Sequence, residues 1–161
     1  MATYRHTQVG WTIGVATAVG SAAAIGVLLW LPEGAMRAPA WTPALLAALL
    51  GLALALFGWL TVEVDARAVR LRFGVGLFRR TLPIADLVRC DRMRTRLRWG
   101  WGLHWTPAGW LYNVSGRDAV RLELRRERPV VIGSDDADAL KTAIDARIAA
   151  HAGRPSAGNE E

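Results

Sequence analysis

TVEVDARAVRLRFGVG, residues 61–76, is where the chain settles into a two-residue period. Val62 and Val64 alternate with Glu63 and Asp65, and Val69, Leu71 and Phe73 alternate with Arg70 and Arg72. Successive side chains of a strand point to opposite faces, so this pattern predicts two strands, each with an apolar and a charged face. Asp65-Ala66-Arg67 and Gly74-Val75-Gly76 are turn chemistry, which makes the pair an antiparallel hairpin followed by a second reversal.

Upstream of this stretch the sequence reads differently. Residues 10–31 and 41–61 are apolar and carry no charge. Trp11 and Trp30 bracket the first run, and Trp41 and Trp59 the second. At 1.5 Å per residue each tryptophan pair spans roughly 27–29 Å, close to the hydrocarbon thickness of a bilayer. Tryptophan favours the membrane–water interface, because its ring is apolar and its N–H needs a polar partner. The expectation is a transmembrane helical hairpin over residues 10–61, with a breaker-rich loop over 32–40. Thr42 and Pro43 would supply its second N-cap and first-turn proline. A signal peptide cleaved near Ala38-Pro39-Ala40 fits less well, since the apolar run exceeds a signal core and a second run follows at once. Arg67, Arg70 and Arg72 follow the second run, whereas the loop holds Arg37 against Glu33. Positive-inside logic then places both termini in the cytoplasm, residues 1–9 included. The expected address is the cell inner or plasma membrane.

Downstream, short alternating segments recur. Phe78 to Ile84, Leu87 to Trp99, Leu111 to Val114, the Val120-Leu122-Leu124 series and Val130 to Ile132 are bounded by glycine, proline or mixed-charge turns. Ser134-Asp135-Asp136 opens a helix with Leu140, Ala143, Ile144 and Ile148 on one face. Residues 62–152 therefore predict about seven strands closed by one helix, a small antiparallel barrel or sandwich. Residues 153–161 are tail-like and are expected to be disordered.

Charge is unevenly distributed. The net charge is +6, and only Lys141 among the twenty basic residues is a lysine. Arg92, Arg94, Arg96 and Arg98 alternate with Met93, Thr95, Leu97 and Trp99, a spacing that lines four guanidiniums along one strand face. With Arg79 and Arg80 they are the candidate contacts for anionic lipid headgroups, each contributing about 1 kcal/mol near such a surface. The simpler reading is a solvated strand face neutralised by Glu123 and Glu127. Trp99, Trp101, Trp105 and Trp110 crowd into one glycine-rich segment. Trp101, Trp105 and Trp110 are candidates for an interface loop or a partner-peptide groove, against a reading in which at least two of the four fill the core.

Signals for catalysis are poor. His6, His104 and His151 are far apart, and Asp135, Asp136 and Asp138 sit where a helix start favours acids. Gly74-Val75-Gly76 lacks the third glycine of a dinucleotide loop, and Cys90 is the only cysteine. No catalytic residue, metal site or cofactor is expected. Arginines among aromatics also suit nucleic acid, but no recognition helix or RNA-binding signature accompanies them, so no nucleic-acid partner is expected.

RFGVGLFRRTLPIADL, WGWGL, TPAGWLYNVSG, AVRLEL and VVIGSDDADAL, set behind two apolar runs, resemble the bacterial pleckstrin-homology-like membrane proteins. The resemblance implies an α+β fold, a two-helix transmembrane hairpin followed by a PH-like barrel or sandwich capped by a C-terminal helix. It implies no activity. The functional expectation is a membrane-anchored, non-enzymatic binding or assembly module whose arginines face anionic lipid. The alternative is an accessory subunit of a membrane enzyme or transporter complex, docking on a membrane-protein partner through the tryptophan segment.

Overall fold

The computed structural model describes residues 4–30, 39 and 41–153. The 61–76 stretch does form a hairpin: β2 (Trp59–Val64) and β3 (Ala68–Phe73) pair antiparallel, with Glu63 opposite Arg70 and Val62 opposite Leu71. Asp65 closes the turn, its Oδ1 accepting from the backbone N–H groups of Arg67 and Ala68. β4 (Arg79–Pro83) adds to the free edge of β3. The other edge is taken by β1 (Tyr4–Val9), a strand within residues 1–9 where the sequence predicts only an N-terminal segment. Its Tyr4, His6 and Gln8 oppose Val64, Val62 and Leu60, giving a four-stranded antiparallel sheet in the order β1-β2-β3-β4.

Between β1 and β2 the chain makes two helices, α1 (Trp11–Trp30) and α2 (Thr42–Phe57). Among the described residues no helix is long and apolar enough to cross a membrane. α2 has 16 residues, about 24 Å at 1.5 Å each, short of the ~20 residues that a span requires. Gly58 caps it, and Trp59–Thr61, read as the end of a span, belong to β2. The expected two-span anchor is therefore corrected. With it go the integral membrane partnership, the cytoplasmic placement of both termini and the inner-membrane or plasma-membrane address. Thr42 does not cap α2; Trp41 holds the N-cap position without a side-chain bond, and Pro43 lies in the first turn as expected. The loop over 32–40, Pro39 apart, and the tail beyond Gly153 lie outside the described residues.

The second sheet has five strands: β5 (Leu87–Arg94), β6 (Gly102–Thr106), β7 (Gly109–Asn113), β8 (Asp118–Leu124) and β9 (Val130–Gly133), in the order β5-β8-β9-β7-β6. β7 and β9 run parallel, against an all-antiparallel expectation. α3 (Ala137–Ala152) follows, its entry turned by the Ser134 hydroxyl accepting from the Asp136 N–H. Leu140 and Ile144 bury completely, and Ile148 packs behind them. One core joins the two sheets and the helix, with Leu71 and Phe73 from the first sheet, Leu122 and Ile132 from the second and Ile144 from α3. The fold is α+β, a sandwich-like pair of sheets with a C-terminal helix, and among the described residues it shows no transmembrane hairpin.

Candidate functional site

Burying Val69, Leu71 and Phe73 forces Arg70 and Arg72 onto the outer face of the first sheet. The registers complete that face. Arg72 stands opposite both Thr61 and Arg79, and Arg70 opposite both Glu63 and Thr81. A cleft of about 210 Å³ opens there, lined by Thr61, Glu63 and Thr81 together with Arg70, Arg72, Arg79 and Arg80.

Two of these four arginines are already matched to acids. Arg70 pairs with the Asp65 carboxylate. The backbone N–H of Arg67, ahead of Arg70 itself, holds that carboxyl below its usual range. Glu63 is taken by Arg5 at 3.2 Å. Arg80 turns to the other side of β4, donating to the Tyr112 hydroxyl at 3.0 Å and pairing with Glu127 at 2.5 Å. Arg72 and Arg79 differ. Among the described residues neither has an acidic partner, although they face each other directly across β3 and β4. Arg79 Nε donates to the Gly76 carbonyl at 2.5 Å. Gly76 has a φ of 92°, and a Cβ there would lie 2.9 Å from Arg72 Cδ and 3.1 Å from Arg79 Nη2. The glycine turn thus draws both arginines to one place. Like charges opposed across a ladder are destabilising unless something negative lies between them.

The six arginines singled out in the sequence scatter. β5 ends at Arg94, so only Arg92 and Arg94 share a strand face. Arg96 is an exposed loop residue, and Arg98 lies in a 3-10 turn over Leu97–Trp99. A glycine-rich exit, Gly100 and Gly102 both at positive φ, replaces the expected continuation of the ladder. Arg92 is gripped by Asp138 at 2.5 Å and approaches Asp118 at 3.6 Å; Arg94 lies 3.7 Å from Asp118. The neutralising acids are therefore Asp118 and Asp138, not Glu123 and Glu127. Glu127 instead serves Arg80, and Glu123 serves Arg89 and Arg121. Of the six, Arg79 alone joins the open pair; Arg70 and Arg72 were passed over because each sits singly within an ordinary amphipathic strand.

The tryptophan segment is a hairpin rather than a loop. β6 and β7 pair with Trp105 directly opposite Trp110, and Thr106-Pro107-Ala108-Gly109 turns between them. Gly109 has a φ of 124°, and a Cβ there would run into the Pro129 carbonyl. Trp99 packs against the small cluster of Leu111, Ala119 and Val131. Trp101 donates to the Gly116 carbonyl at 3.4 Å. Trp105 stays 54% exposed, with the Arg128 guanidinium 5.9 Å from its ring centre, and Trp110 is 39% exposed.

Cys90 is buried, and burial, helped by the nearby Asp145, pushes its thiol up to about 12. Among the described residues no group of three or more His, Cys, Asp and Glu could hold a metal ion. The acids at the start of α3 are engaged elsewhere: Asp135 with His6, Asp136 with Tyr4, Asp138 with Arg92. No protein-family model, curated protein or solved structure matches this chain. The expected resemblance to pleckstrin-homology-like membrane proteins is not supported: no family model matches, and among the described residues no helix is long and apolar enough to cross a membrane.

Proposed function

We propose that this protein is a non-enzymatic binding module whose arginine face takes phosphate-bearing anionic headgroups. The observation that carries this reading is the opposed pair Arg72 and Arg79, without an acid and converging on Gly76 inside an arginine-lined cleft. A phosphate between the two guanidiniums accepts from both and relieves their repulsion, and each charge-assisted bond contributes about 1.5–3 kcal/mol. Thr61 and Thr81 also line the cleft, the Thr61 hydroxyl sharing a hydrogen bond with that of Thr7. The turn that gathers the arginines also displays Val75 and Leu77, 63% and 70% exposed, which favours a headgroup within a lipid surface over a free ion. The chain supplies positioning and charge here but no nucleophile with an adjacent base.

Vesicles containing phosphatidylserine or phosphatidate, neutral phosphatidylcholine vesicles and inorganic phosphate separate the sources. Sedimentation with anionic vesicles, falling as salt rises and lost in Arg72→Gln/Arg79→Gln, is the expected result. Saturable binding of inorganic phosphate with no vesicle binding would reassign the site to a soluble phosphate. Equal binding to neutral vesicles, or full binding by the double variant, would overturn the reading.

A further inference from the structure

Each sheet has two terminal strands, and three of the four are guarded by charge. β1 carries Arg5, β4 carries Arg79 and Arg80, and β5 carries Arg89, Asp91, Arg92 and Arg94. β6, the terminal strand of the second sheet, reads Gly-Leu-His-Trp-Thr and has no arginine, lysine, aspartate or glutamate. A terminal strand presents unpaired backbone groups along its outer side, and charge is the usual guard against pairing with another chain.

At the hairpin end of β6, reaching back across β7 rather than along the free edge, lies a cleft of about 190 Å³ bordered by Trp105, Pro107, Arg128 and Pro129, with Arg121 contributed from β8. Its apolar part is an exposed tryptophan between two prolines, and its polar part is cationic. Arg128 lies over Trp105, and the Arg121 Nε is buried with no hydrogen-bond partner. Arg125 and Arg126, in the same connection between β8 and β9, add exposed positive charge. The connection's acid, Glu127, is committed to Arg80.

We infer that β6 is a docking edge for an extended, acidic segment of a partner protein, which adds to the second sheet as a further strand. The backbone of β6 supplies the ladder, and alternate side chains of the incoming strand meet Trp105 and the Arg128 guanidinium that lies over it. Tryptophan and arginine together are the residue types that most often dominate such contacts. An acidic segment is favoured over nucleic acid because the cleft is short and confined to one end of one hairpin, whereas strand-tracking sites repeat their stacking platforms along a groove. The site is separate from the Arg72–Arg79 cleft on the first sheet.

The test uses the isotope-labelled full chain, titrated with a short alternating Glu–Val peptide, its Gln–Val counterpart and a Glu–Val peptide N-methylated at every second amide. Expected are amide shifts centred on residues 102–106, and binding weakened on the order of tenfold by Arg128→Gln or Trp105→Ala. N-methylation in one register should abolish binding and in the other leave it intact. Arg72→Gln/Arg79→Gln should bind the peptide unchanged. Equal affinity for the Gln–Val peptide, or insensitivity to both N-methyl registers, would overturn the proposal. So would displacement of the peptide from residues 102–106 by oligo(dT) at lower concentration, or concentration-dependent shifts of those amides without peptide, which would assign the edge to nucleic acid or to a second copy of the chain.

Discussion

The Tyr4 hydroxyl lies 3.4 Å from Asp136 Oδ2 and 3.5 Å from the Asp136 carbonyl, joining β1 to the start of α3 across 132 positions of sequence. Next to it the His6 imidazole meets the Asp135 carboxylate at 2.5 Å. These contacts fasten the N-terminal strand to the C-terminal helix. Burial, reinforced by the Asp136 charge, raises the Tyr4 phenol to about 12. A group whose folded value is raised contributes stability that is complete below its unfolded value, about 10 for tyrosine, and is lost as pH rises through the folded value. Denaturant midpoints should therefore fall from about pH 10 upward. Tyr4→Phe should reduce that decline while costing less than about 1.5 kcal/mol at neutral pH, because the hydrogen bonds removed are long.

Asp65 gives the opposite sign. Its carboxyl is depressed, so its contribution is present above the unfolded value of about 3.9 and disappears as pH falls through the lower folded one. Asp65→Asn keeps an oxygen for the Arg67 and Ala68 N–H groups but releases Arg70 into the cleft. The variant should fold, should lose less stability in acid than the parent, and should bind anionic vesicles about fivefold more tightly, corresponding to one additional arginine near the surface at about 1 kcal/mol. Unchanged or weaker vesicle binding would show that Arg70 plays no part there.

Cys90 should behave as a core atom rather than a reagent. With its thiol raised to about 12 and its side chain enclosed, labelling by a disulfide reagent at neutral pH should be slow. The rate should rise with denaturant in step with global unfolding, and rapid stoichiometric labelling of the native chain would contradict the packing described.

Ile144→Ala removes a fully buried side chain through which α3 packs on the core, and should cost about 2–5 kcal/mol in equilibrium unfolding. Arg92→Gln removes an exposed ion pair with Asp138 on the same helix and should cost about 1 kcal/mol or less. Comparable losses in the two variants would mean that α3 is held by charge rather than by burial.

Local pattern was legible wherever its partner was also local. The β2–β3 hairpin, the turn at Gly74–Gly76 and the apolar face of α3 follow from alternation and periodicity alone. β1 was missed because its partner lies beyond two helices, Tyr4 opposite Val64. The arginine ladder was over-read because alternation continues past Arg94, where the chain leaves the sheet after the buried Thr95. Composition alone does not register that exit. The open pair escaped notice for a related reason: Arg72 and Arg79 become neighbours only once the β3–β4 register is known, and their partners decide which arginines stay open. Trp105 and Trp110 looked like loop residues because glycines and a proline surround them, yet those residues make the hairpin turn.

Val9 stands opposite Trp59, and the Gly10 N–H donates to the Gly58 carbonyl at 2.7 Å. The chain thus leaves the first sheet and re-enters it at the same rung, with α1 and α2 as an excursion between adjacent strands. Such an excursion is modular: its ends coincide, so a tight reverse turn could replace it and still register β1 against β2, leaving the Val75 N–H that donates to Ala55 to find another acceptor and Phe73 and Phe78 to repack without Phe57. Kinetically it acts as a clamp. If the two helices associate first, they bring residues 10 and 58 together before β1 docks, and the entropy of closing a loop of nearly fifty residues is met by contacts local to the helices.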